Sequence, residues 1–243
     1  MADWKPLPAS SDALDTALLI GPVPRIITPV IRPPRRLPPR RRAQTTVQAW
    51  LLVIDVRDPA LGAHLRRVGR LARDLGIAAG LTGADLDALE WSGRLHDVGK
   101  LGIPDGILNK PGRLTAAEFE RVKLHPRLGY ELVRHQSALD ATLPGILHHH
   151  ENYDGSGYPG GLRGEETPLP ARILRIVDSF DAMTWPRVYG ELFTADAALR
   201  ELRRGAGAAT DPHLTELFCT LKQSAPLGQA GALGGAAGPP GRV

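Results

Sequence analysis

Residues 65–75 read Leu-Arg-Arg-Val-Gly-Arg-Leu-Ala-Arg-Asp-Leu. Leu65, Val68, Leu71, Ala72 and Leu75 recur every three or four positions, the spacing that lays apolar side chains along one stripe of an α-helix. The same period returns downstream. Leu114-Thr115 followed by Glu118-Phe119 has the pattern of a capping box inside a hydrophobic staple and predicts a helix start there. Thr82 with Asp85 reads as a box opening another helix. Further helices are predicted near 126–134, 137–150, 169–184, 194–204 and 211–222. No alternating strand pattern stands out. The predicted fold is all-α, a compact helical bundle carrying one Gly-rich loop, Asp-Gly-Ser-Gly-Tyr-Pro-Gly-Gly-Leu-Arg-Gly at 154–164.

The 243 residues are 42% hydrophobic and 23% charged, enough apolar material for a sizeable core and unlike a collagen, a coiled coil or a disordered chain. Apolar runs such as 50–54 fall far short of the roughly 20 residues that span a bilayer, and the first thirty residues lack the pattern of a secretory signal. One cysteine, Cys219, leaves no internal disulfide. These features predict a reducing, cytoplasmic setting. The net charge of +4 sits at the ends, because residues 1–45 hold eight Lys/Arg against three acids and residues 46–222 are left at −2. A nucleic-acid groove in the body of the protein therefore has little electrostatic support. Nine of the 22 prolines and the run Arg-Pro-Pro-Arg-Arg-Leu-Pro-Pro-Arg-Arg-Arg at 32–42 predict an extended tail over 1–45. The Gly/Ala/Pro-rich stretch 223–243 predicts a second, disordered tail. The expected domain is 46–222.

Within it, five histidines and two acids form a pattern: His64, His96-Asp97, His125, His149-His150 and Asp178. Taken singly, each has an ordinary reading as a core or surface residue. Together they are harder to set aside, since His96-Asp97 stands where a helix ends near Gly99 and His149-His150 ends another beside the glycine loop. Side chains at helix ends facing one centre supply nitrogen and carboxylate ligands, and imidazole with carboxylate and no thiolate suits iron, manganese or zinc. His135, His148 and His213 fit no ligand position.

His96-Asp97-Val-Gly-Lys100, Ile-Pro-Asp-Gly-Ile-Leu-Asn-Lys-Pro-Gly-Arg-Leu-Thr at 103–115, His125-Pro, His-His-Glu-Asn-Tyr-Asp-Gly-Ser-Gly157-Tyr158-Pro159 and Ala-Arg-Ile-Leu-Arg-Ile-Val-Asp178 resemble, in order, the HD-GYP branch of the HD-domain phosphohydrolases. The resemblance spans about residues 50–220. It implies an all-α bacterial phosphodiesterase that opens cyclic di-GMP to the linear dinucleotide pGpG, with GMP as a further product, using two divalent metal ions, iron or manganese. His64, His96, Asp97 and Asp178 would hold the first ion; His125, His149 and His150 the second, with Asp97 bridging. Lys100 would donate to the phosphate. Gly157, Tyr158 and Pro159 would border the substrate and present a face to diguanylate cyclase domains. Arg187 and Tyr189 match the family's substrate contacts, while Val188 and Gly190 depart from its pattern there; Ala60 replaces the glutamate of three-metal members. Either a separate sensory protein supplies control or the enzyme is unregulated by its own chain, and a second copy of the chain is a further candidate partner. Two other readings stay open: a cyclic-dinucleotide receptor or docking module with weak turnover, and a phosphohydrolase of another cyclic nucleotide. Nucleic-acid binding through 32–42 is a weaker fourth.

Overall fold

The computed structural model describes residues 37–185 and 192–224. Ten α-helices are present among the described residues: α1 (Pro39–Arg57), α2 (Pro59–Ala78), α3 (Gly83–Leu95), α4 (Asp105–Leu108), α5 (Ala116–Val122), α6 (His125–Val133), α7 (Leu143–His148), α8 (Leu169–Thr184), α9 (Ala195–Arg204) and α10 (Pro212–Ser224). Short 3-10 turns at Val98–Gly102, Ser137–Thr142 and Gly164–Glu166 link them. Strand pairing among the described residues is limited to two isolated bridges. The all-α expectation holds.

The apolar stripe within 65–75 is the buried face of α2, with Leu65, Val68, Ala72 and Leu75 all fully enclosed. Two apolar cores meet along α2 and α3. One joins Val68, Leu75 and Leu89 to Ile173, Val177 and Phe180 of α8 and to Leu202 and Phe218 of α9 and α10. The other joins Leu65 and Leu95 to Val47, Leu51 and Ile54 of α1 and to Val98, Val133 and Ile146. Burying side chains of this size stabilises by about 1.5–3 kcal/mol each, so the helices that carry the histidines are anchored from both sides.

Several expectations need correction. The tail expected to reach residue 45 gives way to helix at Pro39. Proline is tolerated in a first helical turn, where its missing N–H has no partner to lose. Ala43, Val47, Leu51 and Ile54 bury one face of α1, and Arg40 Nε lies 2.6 Å from Asp87 Oδ2. At the other end α10 continues to Ser224, past the expected boundary at 222. The single helix expected over 137–150 is a 3-10 turn followed by α7. Pro144 can occupy only a first turn, so the α-helix begins beside it. Thr82 stands at the start of α3 without a side-chain cap bond, and Gly83 takes φ +56°, which does not suit a capping box. The box at Thr115–Glu118 does form, although Phe119 remains 49% exposed. Helix α8 matches its expected span.

The turn at Val98–Gly102 backs directly onto α6: a Cβ on Gly99 would stand 1.9 Å from the His125 carbonyl oxygen and 2.5 Å from the Gly129 amide nitrogen. Backbone on both sides leaves no flexible side chain to give way. Gly99→Ala is therefore expected to destabilise by about 1–3 kcal/mol or more through overpacking. Gly106→Ala, where nothing lies within 4 Å of the added methyl, is expected to be near neutral. Denaturant unfolding of the two variants checks this; equal stabilities would contradict the close approach.

Candidate metal centre

Each ligand candidate is placed by a helix or a helix end. His64 lies in the second turn of α2, His96 closes α3, and Asp97 precedes the 3-10 turn. His125 opens α6, His149 closes α7 with His150 beside it, and Asp178 sits on α8, whose neighbouring Ile176 and Val177 are in the core. All seven come together as two sets, Asp97 with His125, His149 and His150, and His64 with His96 and Asp178; within each set the potential ligand atoms lie within 4.8 Å of one another. Asp97 faces both. Its Oδ2 is 3.5 Å from His96 Nε2 and 3.9 Å from His64 Nε2, while Oδ1 is 3.1 Å from His125 Nε2 and 3.8 Å from His149 Nε2. Asp178 Oδ1 lies 3.3 Å from His64 Nε2 and 3.8 Å from His96 Nε2.

The orientation of the rings follows from local chain ends. The last carbonyls of a helix have no intrahelical partner. His96, His125 and His149 each direct Nδ1 to such a carbonyl three residues back: Gly93 at 2.9 Å, Val122 at 2.7 Å and Ile146 at 2.8 Å. A carbonyl only accepts, so Nδ1 carries the proton and Nε2 turns a lone pair inward. Two consequences are visible. His125 Nε2 and His149 Nε2 stand 3.1 Å apart, lone pair toward lone pair. His96 Nε2 and Asp97 Oδ1 are buried with no hydrogen-bond partner. Unmet buried polar atoms cost about 1–3 kcal/mol each, and a cation between them removes the cost. The donor set thus fits divalent metal, which imidazole nitrogen and carboxylate oxygen both bind.

The charges agree. Burial keeps His96 and His149 below their usual range, and it pushes His150 down to about 3 with His125 adding to the effect, so these rings are neutral and ligand-competent at pH 7. Burial works against ionisation of Asp97, but the Lys100 ammonium outweighs it and holds the carboxylate well below its usual range. Asp178 is likewise held low, against its burial, by His64. His64 differs: burial opposes its protonation, yet Asp178 and Asp181 prevail and raise it to about 9. A cation arriving at His64 must displace that proton.

Lys100 places Nζ 2.5 Å from Asp97 Oδ2. Tyr158 stacks on His150 with centroids 4.8 Å apart and planes 26° apart, its amide donating to the His150 carbonyl at 3.1 Å. The Tyr158–Pro159 peptide is cis. A Cβ on Gly157 would stand 2.2 Å from the Asn152 amide nitrogen, so only glycine lets the loop fold back on the His150 segment. The loop that carries Gly157, Tyr158 and Pro159 therefore borders the cluster. Arg187 and Tyr189 fall in 186–191, outside the described residues. His148 hydrogen-bonds Glu151 at 3.3 Å, away from both ligand sets.

Three contributors escaped the sequence reading. Asp181 Oδ2 accepts from His64 Nδ1 at 2.7 Å. Glu151 is buried and accepts from the Gly160 and Leu162 amides at 2.6 and 3.2 Å, tying down the glycine loop. Arg175 donates to Asn152 Oδ1 through Nε at 3.1 Å and through one terminal nitrogen at 2.9 Å. Asp181 and Arg175 each lie three residues from Asp178, on one face of α8, which is the only signal the sequence offered for them.

The HD domain family matches residues 51–214. The chain is 40% identical over 177 residues to the cyclic di-GMP phosphodiesterase response regulator RpfG of Xanthomonas campestris, covering 72% of this chain and 47% of that protein. It is 36% identical over 167 residues to 3'3'-cGAMP-specific phosphodiesterase 2 of Vibrio cholerae, covering 68% of this chain and 32% of that protein. It thus spans half or less of the length of these relatives. Among solved structures it resembles Bd1817, a HDG"Y"P protein from Bdellovibrio bacteriovorus, with a TM-score of 0.56 at 18% identity over 76% of this chain and 69% of the other. The histidine-aspartate pair at 96–97, the helical scaffold and the family match lead to one conclusion: the chain belongs to the HD-domain family.

Proposed function

We propose that this chain is a metal-dependent phosphodiesterase that opens cyclic di-GMP to linear pGpG and onward to GMP. The observation that carries the reading is the division of Asp97, whose two oxygens face two separate histidine sets. In this reading His64, His96, Asp97 and Asp178 hold one divalent ion, and Asp97, His125, His149 and His150 hold a second, both iron or manganese. Such a pair supplies Lewis-acid charge to a phosphoryl oxygen and lowers the pKa of a water for in-line attack on phosphorus. The protein's own residues do the rest. With Asp97 engaged in holding the ions, the Lys100 ammonium would be available to donate to a phosphate oxygen. Gly157, Tyr158 and Pro159 border the substrate. Arg187 and Tyr189 contact its phosphate and base, a role that rests on sequence alone.

The 3'3'-cGAMP-specific relative favours one second reading, the same chemistry on a mixed cyclic dinucleotide. The loop around Tyr158 is the proposed docking face for diguanylate cyclase domains, a separate sensory protein is the proposed source of control, and a second copy of the chain is a proposed partner. No described helix is long and apolar enough to cross a membrane.

Protein purified without oxygen and supplied with iron or manganese is expected to hydrolyse cyclic di-GMP, with Asp97→Ala reduced to background, when products are resolved by chromatography. Turnover of 3'3'-cGAMP alone would transfer the assignment to the second reading, and turnover of neither by metal-loaded protein would overturn both. Manganese at a hundred times its dissociation constant is expected to raise stability by about 2.7 kcal/mol, seen as a melting shift that chelator reverses and Asp97→Ala lacks. Glu151→Ala leaves two loop amides without their acceptor and is expected to cost about 1–3 kcal/mol. It should raise KM for the dinucleotide with metal content unchanged; a loss of metal instead would place Glu151 in the ion site.

A further inference from the structure

Four rings that project Nε2 into the cluster obtain their orientation in two different ways. His96, His125 and His149 use backbone carbonyls at helix ends, a device no substitution of a partner side chain can remove. His64 cannot do this. It lies in the interior of α2, where every carbonyl is already engaged by the amide four residues on, so a side chain must fix its ring.

That side chain is Asp181. Its Oδ2 lies 2.7 Å from His64 Nδ1, which leaves His64 Nε2 facing Asp178 at 3.3 Å. The carboxylate is only 3% exposed and would be costly to bury alone. Arg67, one turn along α2 from His64, resolves this with a two-armed fork: Nε to Oδ1 at 2.7 Å and a terminal nitrogen to Oδ2 at 2.9 Å. Trp185 then covers the guanidinium, its ring centre 4.0 Å from the Arg67 Cζ. The fork engages both oxygens, so the carboxylate cannot rotate away from the imidazole.

We infer that Asp181, clamped by Arg67, is a positioning residue that holds His64 in the tautomer and orientation needed for the ion of the His64–His96–Asp178 set. A carboxylate behind a metal-binding imidazole acts in this way, and its loss typically weakens metal affinity by about 10–100-fold. The inference rests on the proposed reading that His64 is a metal ligand. It makes the two ions unequal in a specific respect: one depends on a side chain 117 residues away in sequence, while the histidines of the other, His150 aside, depend on backbone.

The test is manganese binding to metal-free full-length protein, by competition against a chelator, with wild type, Asp181→Asn and Arg67→Lys side by side. Asp181→Asn keeps the shape but removes the charge and can present an N–H to His64. Wild type is expected to bind two ions. Asp181→Asn is expected to bind one of them about 10–100-fold more weakly while the other changes by less than about threefold, with turnover restored at high manganese. Arg67→Lys keeps the carboxylate but loses one arm of the fork, and its loss should fall on the same ion and be smaller. It also serves if the amide variant folds poorly. Two ions bound by Asp181→Asn with wild-type affinities would overturn the inference and leave the two-ion reading standing. Equal weakening of both ions, with a less stable metal-free fold, would overturn it in favour of a purely structural Asp181. Fewer than two ions on wild type would overturn the underlying reading itself.

Discussion

Asp97 is a carboxylate withdrawn almost completely from water, 3% exposed, with one oxygen turned to each of two groups of imidazoles. An isolated buried carboxylate would take up a proton rather than stay charged. This one stays ionised because the Lys100 ammonium reaches it. The rest of the described structure can be understood as what is required to keep that arrangement in place.

Helix ends supply most of the answer. A helix terminus is where a protein has unpaired carbonyls to offer, and chain ends at the cluster use them to fix His96, His125 and His149. Short helices and 3-10 turns between α3 and α8 bring these ends together at the expense of regularity. The longer helices behave in the opposite way, for α2 and α8 run past the site, bury their stripes in the apolar cores and contribute His64 and Asp178 from their interiors. Close backbone contact takes over where side chains would be too bulky. Gly99 lets the turn after Asp97 lie against the start of α6, and Gly157 lets the glycine loop lie against the residues following His150.

The sequence disclosed these features unevenly, for physical reasons. The stripe Leu65–Leu75 and the span of α8 were legible because periodic burial leaves a periodic pattern. The seven ligand candidates were legible as residue types, with His96, Asp97, His149 and His150 at predicted helix ends, and their order matched the HD-GYP pattern. Helix α1 was misread at its start because Pro39 and Arg40–Arg42 look like tail, while the stripe Ala43, Val47, Leu51 and Ile54 that makes them helical begins just beyond. The expected helix over 137–150 ignored what Pro144 forbids. Asp181 and Glu151 were passed over because their partners, His64 and the loop amides, are met only in three dimensions. The Tyr158 loop was recognised from its residues, but its stacking on His150 depends on backbone contact that no local pattern encodes.

The most direct test is anomalous X-ray diffraction from crystals grown without oxygen in the presence of manganese. Two anomalous peaks are expected, one among His64, His96, Asp97 and Asp178, the other among Asp97, His125, His149 and His150, with the Asp97 carboxylate between them. A single peak, or a cluster without metal at saturating manganese, would contradict the claim that these buried groups are arranged to share two ions through Asp97.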